Sequence, residues 1–267
     1  MLESITIETS TICNARCIIC PNYLEPRYPH FMPLKDLKEI LKFFPSLKGI
    51  VLCGMYEPLT DTRLNRILDM IHAVHPEVAV TIFTNGALLT QNITQMLLSH
   101  PNFKNLVVSI HGFSKQVYES IMLRLNRDEV YQNVLNFMQL VGYNPEPQVS
   151  VSFVRIKQNI HELQAFRNFW KGKVDVVSDF EVMNWNGQVP NFESLLYEKP
   201  RNVRPCPMFE QPLVVDAYGN VVKCCYDFKW NYGHVLKGGF ENWLKKERES
   251  ATYPHVDCQK CYGWRYY

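Results

Sequence analysis

Apolar residues along this chain recur with two periods. Short aliphatic and β-branched runs at 4–8, 49–53, 78–83, 106–110 and 149–154 read as strands. Between them, apolar positions return every three or four residues, the spacing of one helix face. Leu34, Leu37, Ile40, Leu41 and Phe44 form one such face, ended by Pro45, and Leu64, Ile67, Leu68, Ile71 and Val74 form the next. Further helices are expected over 93–98, 115–122, 128–141 and 160–170, and a sixth strand over 174–182. Repeated strand–helix units imply right-handed crossovers and a parallel α/β sheet. About six units leave two architectures open, a doubly wound sheet and a curved partial barrel. In both, loops after the C-terminal strand ends gather on one face, where ligands bind.

The pattern changes near Gly187. Residues 188–205 read as loop, with Pro190, Pro200 and Pro205. A β-hairpin is expected from 213–215 and 221–224 around the turn Tyr218-Gly219-Asn220, followed by an amphipathic helix over 240–248. The expected organisation is a unit over 1–190 and a smaller one over 191–267. The sequence shows no internal repeat and no low-complexity tract.

A chain of 267 residues buries a sizeable core without disulfide staples. Its formal net charge of +2 offers no polyanion-binding surface, so no nucleic-acid partner is expected. Lys245, Lys246 and Arg248 alternate with Glu247 and Glu249 and read as a solvated helix face. The start MLESITIETS lacks the basic and apolar regions of a secretory signal, and no apolar run approaches the roughly twenty residues that span a bilayer. A cytoplasmic location without a membrane partner is expected. In that compartment nine cysteines argue for metal or redox chemistry.

Cys13, Cys17 and Cys20 stand in CNARCIIC, directly after the first strand. Three thiolates at this spacing can hold three corners of a four-iron cluster, leaving one iron free to bind a second molecule. After the second strand comes Gly54-Met55-Tyr56-Glu57-Pro58-Leu59; Thr84-Asn85-Gly86 closes the third, Val108-Ser109-Ile110-His111-Gly112 ends the fourth, and Arg155 follows the fifth. With Ile19 at the penultimate position of the triplet, this order of segments resembles the radical S-adenosylmethionine (radical SAM) enzymes over about the first 190 residues. The resemblance implies a partial (β/α)6 TIM-like barrel and decides between the two architectures. It implies that Cys13, Cys17 and Cys20 hold a 4Fe–4S cluster and that Gly54, Glu57 and Pro58 contact the cofactor's methionine amine. Met55 and Tyr56 stand where the family carries glycine. Ile19, Thr84, Asn85 and Ser109 become further cofactor-binding candidates, Ser109 near the ribose or carboxylate. Arg155 is a candidate for the cofactor carboxylate or a substrate, or else a surface ion pair. His111 is a candidate substrate contact or a satisfied loop histidine, and Cys53 a hydrogen donor or a buried structural thiol.

Cys206, Cys224, Cys258 and Cys261 lie beyond this region, with Gly219 between the first two and C-x2-C near the end. This layout resembles the SPASM or twitch extension of radical SAM enzymes, which binds an auxiliary iron–sulfur cluster. With no cysteine after Cys261, the shorter twitch form with one auxiliary 4Fe–4S cluster is implied. By ligand type alone, four thiolates also make a tetrahedral zinc site. Cys224 and Cys225 compete for one position, because adjacent strand residues point to opposite faces; the spacing from Gly219 favours Cys224.

The activity implied is one-electron cleavage of S-adenosylmethionine to methionine and a 5′-deoxyadenosyl radical, which takes hydrogen from a substrate carbon. An external donor such as flavodoxin or ferredoxin would supply the electron. Twitch-bearing relatives oxidise an alcohol of an aminocyclitol or sugar, others epimerise carbohydrates, and a third group modifies peptides. The barrel starts at the first residue, so an N-terminal leader-binding domain is not expected. The leading expectation is oxidation or epimerisation of a sugar or aminocyclitol carbon, a small-molecule substrate. A peptide or protein maturase comes second, and a non-catalytic iron–sulfur or zinc scaffold third.

Overall fold

Six strands run parallel in one sheet, in the order in which the chain makes them. The computed structural model describes residues 2–24, 26–198, 213–249 and 261. The elements are β1 (Ser4–Ile7), β2 (Arg16–Cys17), α1 (Leu34–Phe43), β3 (Gly49–Leu52), α2 (Leu64–Val74), β4 (Ala79–Thr84) and α3 (Gln91–Leu98). They continue with β5 (Phe103–Ser109), α4 (Lys115–Ile121), β6 (Met122–Leu123), α5 (Arg127–Val141), β7 (Gln148–Arg155), α6 (Leu163–Trp170) and β8 (Val176–Glu181). The last are α7 (Phe192–Leu195), β9 (Leu213–Val215), β10 (Asn220–Cys224), β11 (Asp227–His234) and α8 (Gly239–Glu249).

The helices cover the outside of the sheet. α1 turns Leu37, Ile40 and Leu41 inward, and α2 turns Leu64, Ile67, Leu68 and Ile71. Each such side chain contributes about 1.5–3 kcal/mol on leaving water. Side-chain oxygens hold three helix starts: Thr90 accepts from Ile93 N–H, Ser114 from Val117 N–H, and Asn126 from Asp128 and Glu129 N–H. Every second residue of β3 and β4 is fully buried under the helices, and the alternate residues are only half-buried. That second face lines the inside of the curve. β8 has β7 as its one sheet neighbour among the described residues, so the arrangement is an open, partial barrel, as expected for the α/β class.

The C-terminal strands extend the same sheet. β9 pairs in parallel with β1 through Ile5↔Leu213, Thr6↔Val214 and Ile7↔Val215, and β10 turns back antiparallel on β9. The expected hairpin is therefore present and sits against the first barrel strand. Four features were not expected from the pattern: the β2–β6 pair, β11, the short α7 within 188–205, and the separation of 160–170 into a 3-10 turn (Ile160–Glu162) and α6. β5 also begins earlier than expected, at Phe103, because polar Lys104 and Asn105 interrupt the apolar run that marks a strand. Cys206 and Cys258 lie outside the described residues, as do Pro200 and Pro205.

Candidate active site

The CNARCIIC loop leaves β1 at its C-terminal end and is held there by backbone pairing. Arg16 and Cys17 form β2, which pairs with Leu123 and Met122 of β6, and Ile18 N–H donates to Ile121 O at 3.0 Å. The loop is thus fastened to the end of α4, across the mouth of the barrel. Arg16 Nη1 donates to the carbonyls of Cys13 and Ala15, and Ala15 N–H points at Cys13 Sγ at 3.4 Å. The three thiols lie within electrostatic reach of one another. Burial pushes Cys13 up to about 11 and Cys20 up to about 12, and Cys17 well above the usual thiol range. Three thiols so placed resist ionisation unless a cation joins them, and iron or zinc takes its sulfur ligands as thiolates. The donor set fits a cluster: a four-iron cluster attaches each thiolate to a different iron, and one loop here supplies three.

Glu57 stands beside this triplet. It is 2% exposed, and its charge is felt at both Cys13 and Cys17. Its Oε1 accepts from Thr84 Oγ1 at 2.7 Å and Leu59 N–H at 3.1 Å, and its Oε2 accepts from Asn85 N–H at 2.6 Å. A carboxylate has about four acceptor positions, so one remains for a further donor such as an ammonium. Burial raises Glu57 from 4.5 to about 7 against the pull of these three donors. Pro58 opens the 3-10 turn that Glu57 caps. Asn85 Nδ2 donates to Asn14 Oδ1 at 2.7 Å, joining the end of β4 to the cysteine loop. Thr84, Asn85 and Glu57 therefore form one polar cluster with that loop. Ile19 is buried in the core beside it.

Met55 lies within the same segment, and both of its backbone groups are engaged. Its N–H donates to Glu8 Oε1 at 2.6 Å, and its carbonyl accepts from Asn22 Nδ2 at 2.6 Å and Arg27 Nη2 at 3.0 Å. A Cβ on Gly54 would lie 2.3 Å from Glu8 Oε1, so glycine at 54 is what lets the backbone pass so close. Cys53, one residue earlier, has its thiol pushed well above the usual range by burial, with the charges of Cys225 and Glu8 adding to the shift.

The remaining candidates are more dispersed. Ser109 ends β5, where it pairs with Ser152 of β7. His111 is buried; its Nδ1 accepts from Val154 N–H at 3.2 Å, which assigns the ring proton to Nε2, and burial lowers its pKa to about 4. Its ring is a neutral, satisfied group within the wall. Arg155 ends β7 and pairs with Asp179 at 3.2 Å and with Glu181, both on β8. A further carboxylate at Arg155 would compete with two already present. At the hairpin, half-buried Cys224 has Cys225 and Cys261 in electrostatic reach. Cys225 is the thiol whose charge reaches Cys53. Cys224 thus has Cys261 within electrostatic reach, and Cys225 reaches Cys53.

Glu8, Asn14, Asn22 and Arg27 were not singled out from the sequence. Glu8 ends the first apolar run as its one acidic residue, and Asn14 lies inside the cysteine motif. Arg27 and Asn22 carry no such signal.

A parallel partial barrel with three half-buried thiols and a polar cluster at its strand ends has the layout of an enzyme built around a cluster cofactor. Residues 7–169, more than half the chain, match the family model described as the Radical SAM superfamily, and the chain belongs to that superfamily. Its cofactors are accordingly a 4Fe–4S cluster and S-adenosylmethionine. Among curated proteins, the GTP 3',8-cyclase of Helicobacter pylori strain HPAG1 is 23% identical over 228 residues, 75% of this chain and 67% of the relative. That of a second H. pylori strain is 22% identical over 188 residues, 60% of this chain and 58% of the relative. Among solved structures, BtrN in complex with AdoMet and 2-DOIA has a TM-score of 0.64 at 20% identity, covering 94% of this chain and 85% of BtrN. Streptococcus suis SuiB bound to its precursor peptide SuiA has a TM-score of 0.72 at 13% identity, covering 98% of this chain and 70% of SuiB. At these identities the structural likeness shows the fold. No helix among the described residues is long and apolar enough to cross a membrane.

Proposed function

We propose that this radical SAM enzyme oxidises or epimerises a carbon of a small polar substrate, a sugar or aminocyclitol, with the help of a second cluster in residues 191–267. The observation that carries the reading is the grouping of Cys13, Cys17 and Cys20 with Glu57, Thr84 and Asn85 at the strand ends. The cysteine triplet holds the 4Fe–4S cluster. With S-adenosylmethionine bound, that pair of cofactors supplies a 5′-deoxyadenosyl radical able to take hydrogen from an unactivated carbon. Glu57 receives the methionine ammonium at its open acceptor position and, as an anion, offsets its charge. Thr84 and Asn85 hold the carboxylate in place, and the Asn85–Asn14 bond keeps that carboxylate in register with the cysteine loop. Buried Ile19 and the aliphatic sheet keep water from the radical's surroundings.

Support for the auxiliary site is the proximity of half-buried Cys224 to buried Cys261, residues far apart in sequence. Cys206 and Cys258 complete the proposed ligand set. Such a site can accept an electron from a substrate radical, the outcome being net oxidation. The likeness to BtrN, captured with 2-DOIA and matched over 85% of its length, favours a small substrate. A second reading, peptide or protein maturation, is favoured by the likeness to SuiB with its precursor peptide.

Anaerobic reconstitution tests the proposal. The chain should take up about four irons for each of two clusters, and with dithionite and S-adenosylmethionine should form 5′-deoxyadenosine. Absence of 5′-deoxyadenosine from the fully loaded, reduced enzyme under every substrate condition would overturn the catalytic reading. Iron uptake unaffected by Cys258→Ala with Cys261→Ala would overturn the auxiliary cluster. Turnover of aminocyclitols, peptides and GTP, compared side by side, assigns the substrate class. Conversion of GTP would replace this proposal with the reaction named for the H. pylori relatives.

A further inference from the structure

Glu8 and Arg27 form a partly buried ion pair that the reading above does not use. Glu8 is 0% exposed, and Arg27 meets it with both terminal nitrogens, Nη1 to Oε2 and Nη2 to Oε1, each at 2.8 Å. The same Nη2 donates to Met55 O at 3.0 Å, while Glu8 Oε1 accepts Met55 N–H at 2.6 Å. One guanidinium–carboxylate unit thus grips both backbone groups of Met55, two residues before Glu57. Its surroundings reach further. Arg27 and Glu8 are both felt at the Cys20 thiol. On the other side, the Arg27 guanidinium lies 5.4 Å from the ring of Phe228 in β11, and Asp216 and Tyr218 of the β9–β10 turn lie within electrostatic reach. His30, a little further along the same loop, stacks on Tyr218 at 4.3 Å.

We propose that Arg27, through its bidentate pair with Glu8, is a positioning residue: it fixes the Met55 backbone of the S-adenosylmethionine segment and holds the C-terminal hairpin against the cluster loop. This rests on the function proposed above. The planar fork is essential to the role, because only arginine donates in parallel to two carboxylate oxygens while reaching a third acceptor. Lysine keeps the charge but is a point donor. Glutamine at position 8 keeps the size and an acceptor for Met55 N–H but removes a negative charge beside Cys20.

The test uses Arg27→Lys and Glu8→Gln in the full chain. In metal-free protein, Arg27→Lys should speed hydrogen exchange of the β10 and β11 amides at least tenfold more than that of β4 and β5. In reconstituted protein it should weaken S-adenosylmethionine binding by roughly tenfold, the low end for removing a partner behind a ligand-binding group. The reduction potential of the triplet's cluster should be unchanged, since the net charge is unchanged. Glu8→Gln should raise that potential, because local positive charge favours the more negative reduced cluster. Wild-type exchange and affinity in Arg27→Lys, or an unmoved potential in Glu8→Gln, overturn the proposal. A wild-type chain whose iron content does not depend on Cys13, Cys17 and Cys20 would instead overturn the functional reading, leaving the exchange result on metal-free protein to judge Arg27 alone.

Discussion

Glu57→Gln preserves the shape of a buried carboxylate beside the cysteine loop and removes its titration. Burial raises the folded-state pKa of Glu57 from 4.5 to about 7. The folded chain therefore holds this proton more tightly than the unfolded chain. Its contribution to stability is full below pH 4.5 and is lost as pH rises through about 7. At about 1.4 kcal/mol per pH unit, that gap amounts to about 3 kcal/mol, of which about 2.5 kcal/mol falls between about pH 5 and pH 8. His111 acts in the opposite sense. Its pKa is lowered from 6.5 to about 4, so its contribution is present above 6.5 and lost as pH falls towards about 4. The wild-type curve alone mixes the two, and the difference between wild type and Glu57→Gln isolates Glu57. The amide cannot accept the Asn85 N–H with its nitrogen, which costs about 1–3 kcal/mol with little dependence on pH. Urea unfolding of reduced, metal-free protein, followed by circular dichroism across this range, supplies both curves. Relative to wild type, the variant should gain about 2.5 kcal/mol from the acid to the alkaline end. A difference that stays flat with pH would refute the burial argument.

His111→Gln should remove the loss of stability on the acid side, about 3 kcal/mol in total by the same arithmetic, measured as a flatter urea midpoint below pH 6.5. Gly112→Ala should destabilise by about 1–3 kcal/mol in the same assay, because its Cβ would lie 2.6 Å from the backbone N and Cα of Tyr118, which cannot swing aside. Cys224→Ser should lower reconstituted iron by about four per chain and Cys225→Ser should not; loss in neither places the hairpin ligand elsewhere. Cys53→Ala separates the two outcomes of the leading reading in product analysis by mass spectrometry. An epimerising enzyme should lose its product while still forming 5′-deoxyadenosine, and an oxidising one should keep its product.

The helices and strands were readable because burial imposes a period. Leu64, Ile67, Leu68 and Ile71 mark α2 by spacing alone, and each of them is buried. β11 was missed although Phe228, Trp230 and Tyr232 alternate with Asp227, Lys229, Asn231 and Gly233, the period of a strand at the edge of the sheet; only the aliphatic run that marks the other strands is lacking. β9 was readable as half of a hairpin, but its parallel pairing with β1 was not, since nothing local links Leu213 to Ile5. The same division runs through the site. Cys13, Cys17 and Cys20 stand out because one loop must present all three thiols, which forces them close together in sequence. The groups that hold that loop have no such constraint. Asn14 meets Asn85 across 71 positions, and Glu8 meets Met55 across 47, because a parallel sheet delivers successive strand ends to one rim however long the intervening helix. Residues that perform chemistry in one loop are thus readable in order. Residues that align separate loops become visible only when the sheet brings its strand ends together, and Arg27 is of this second kind.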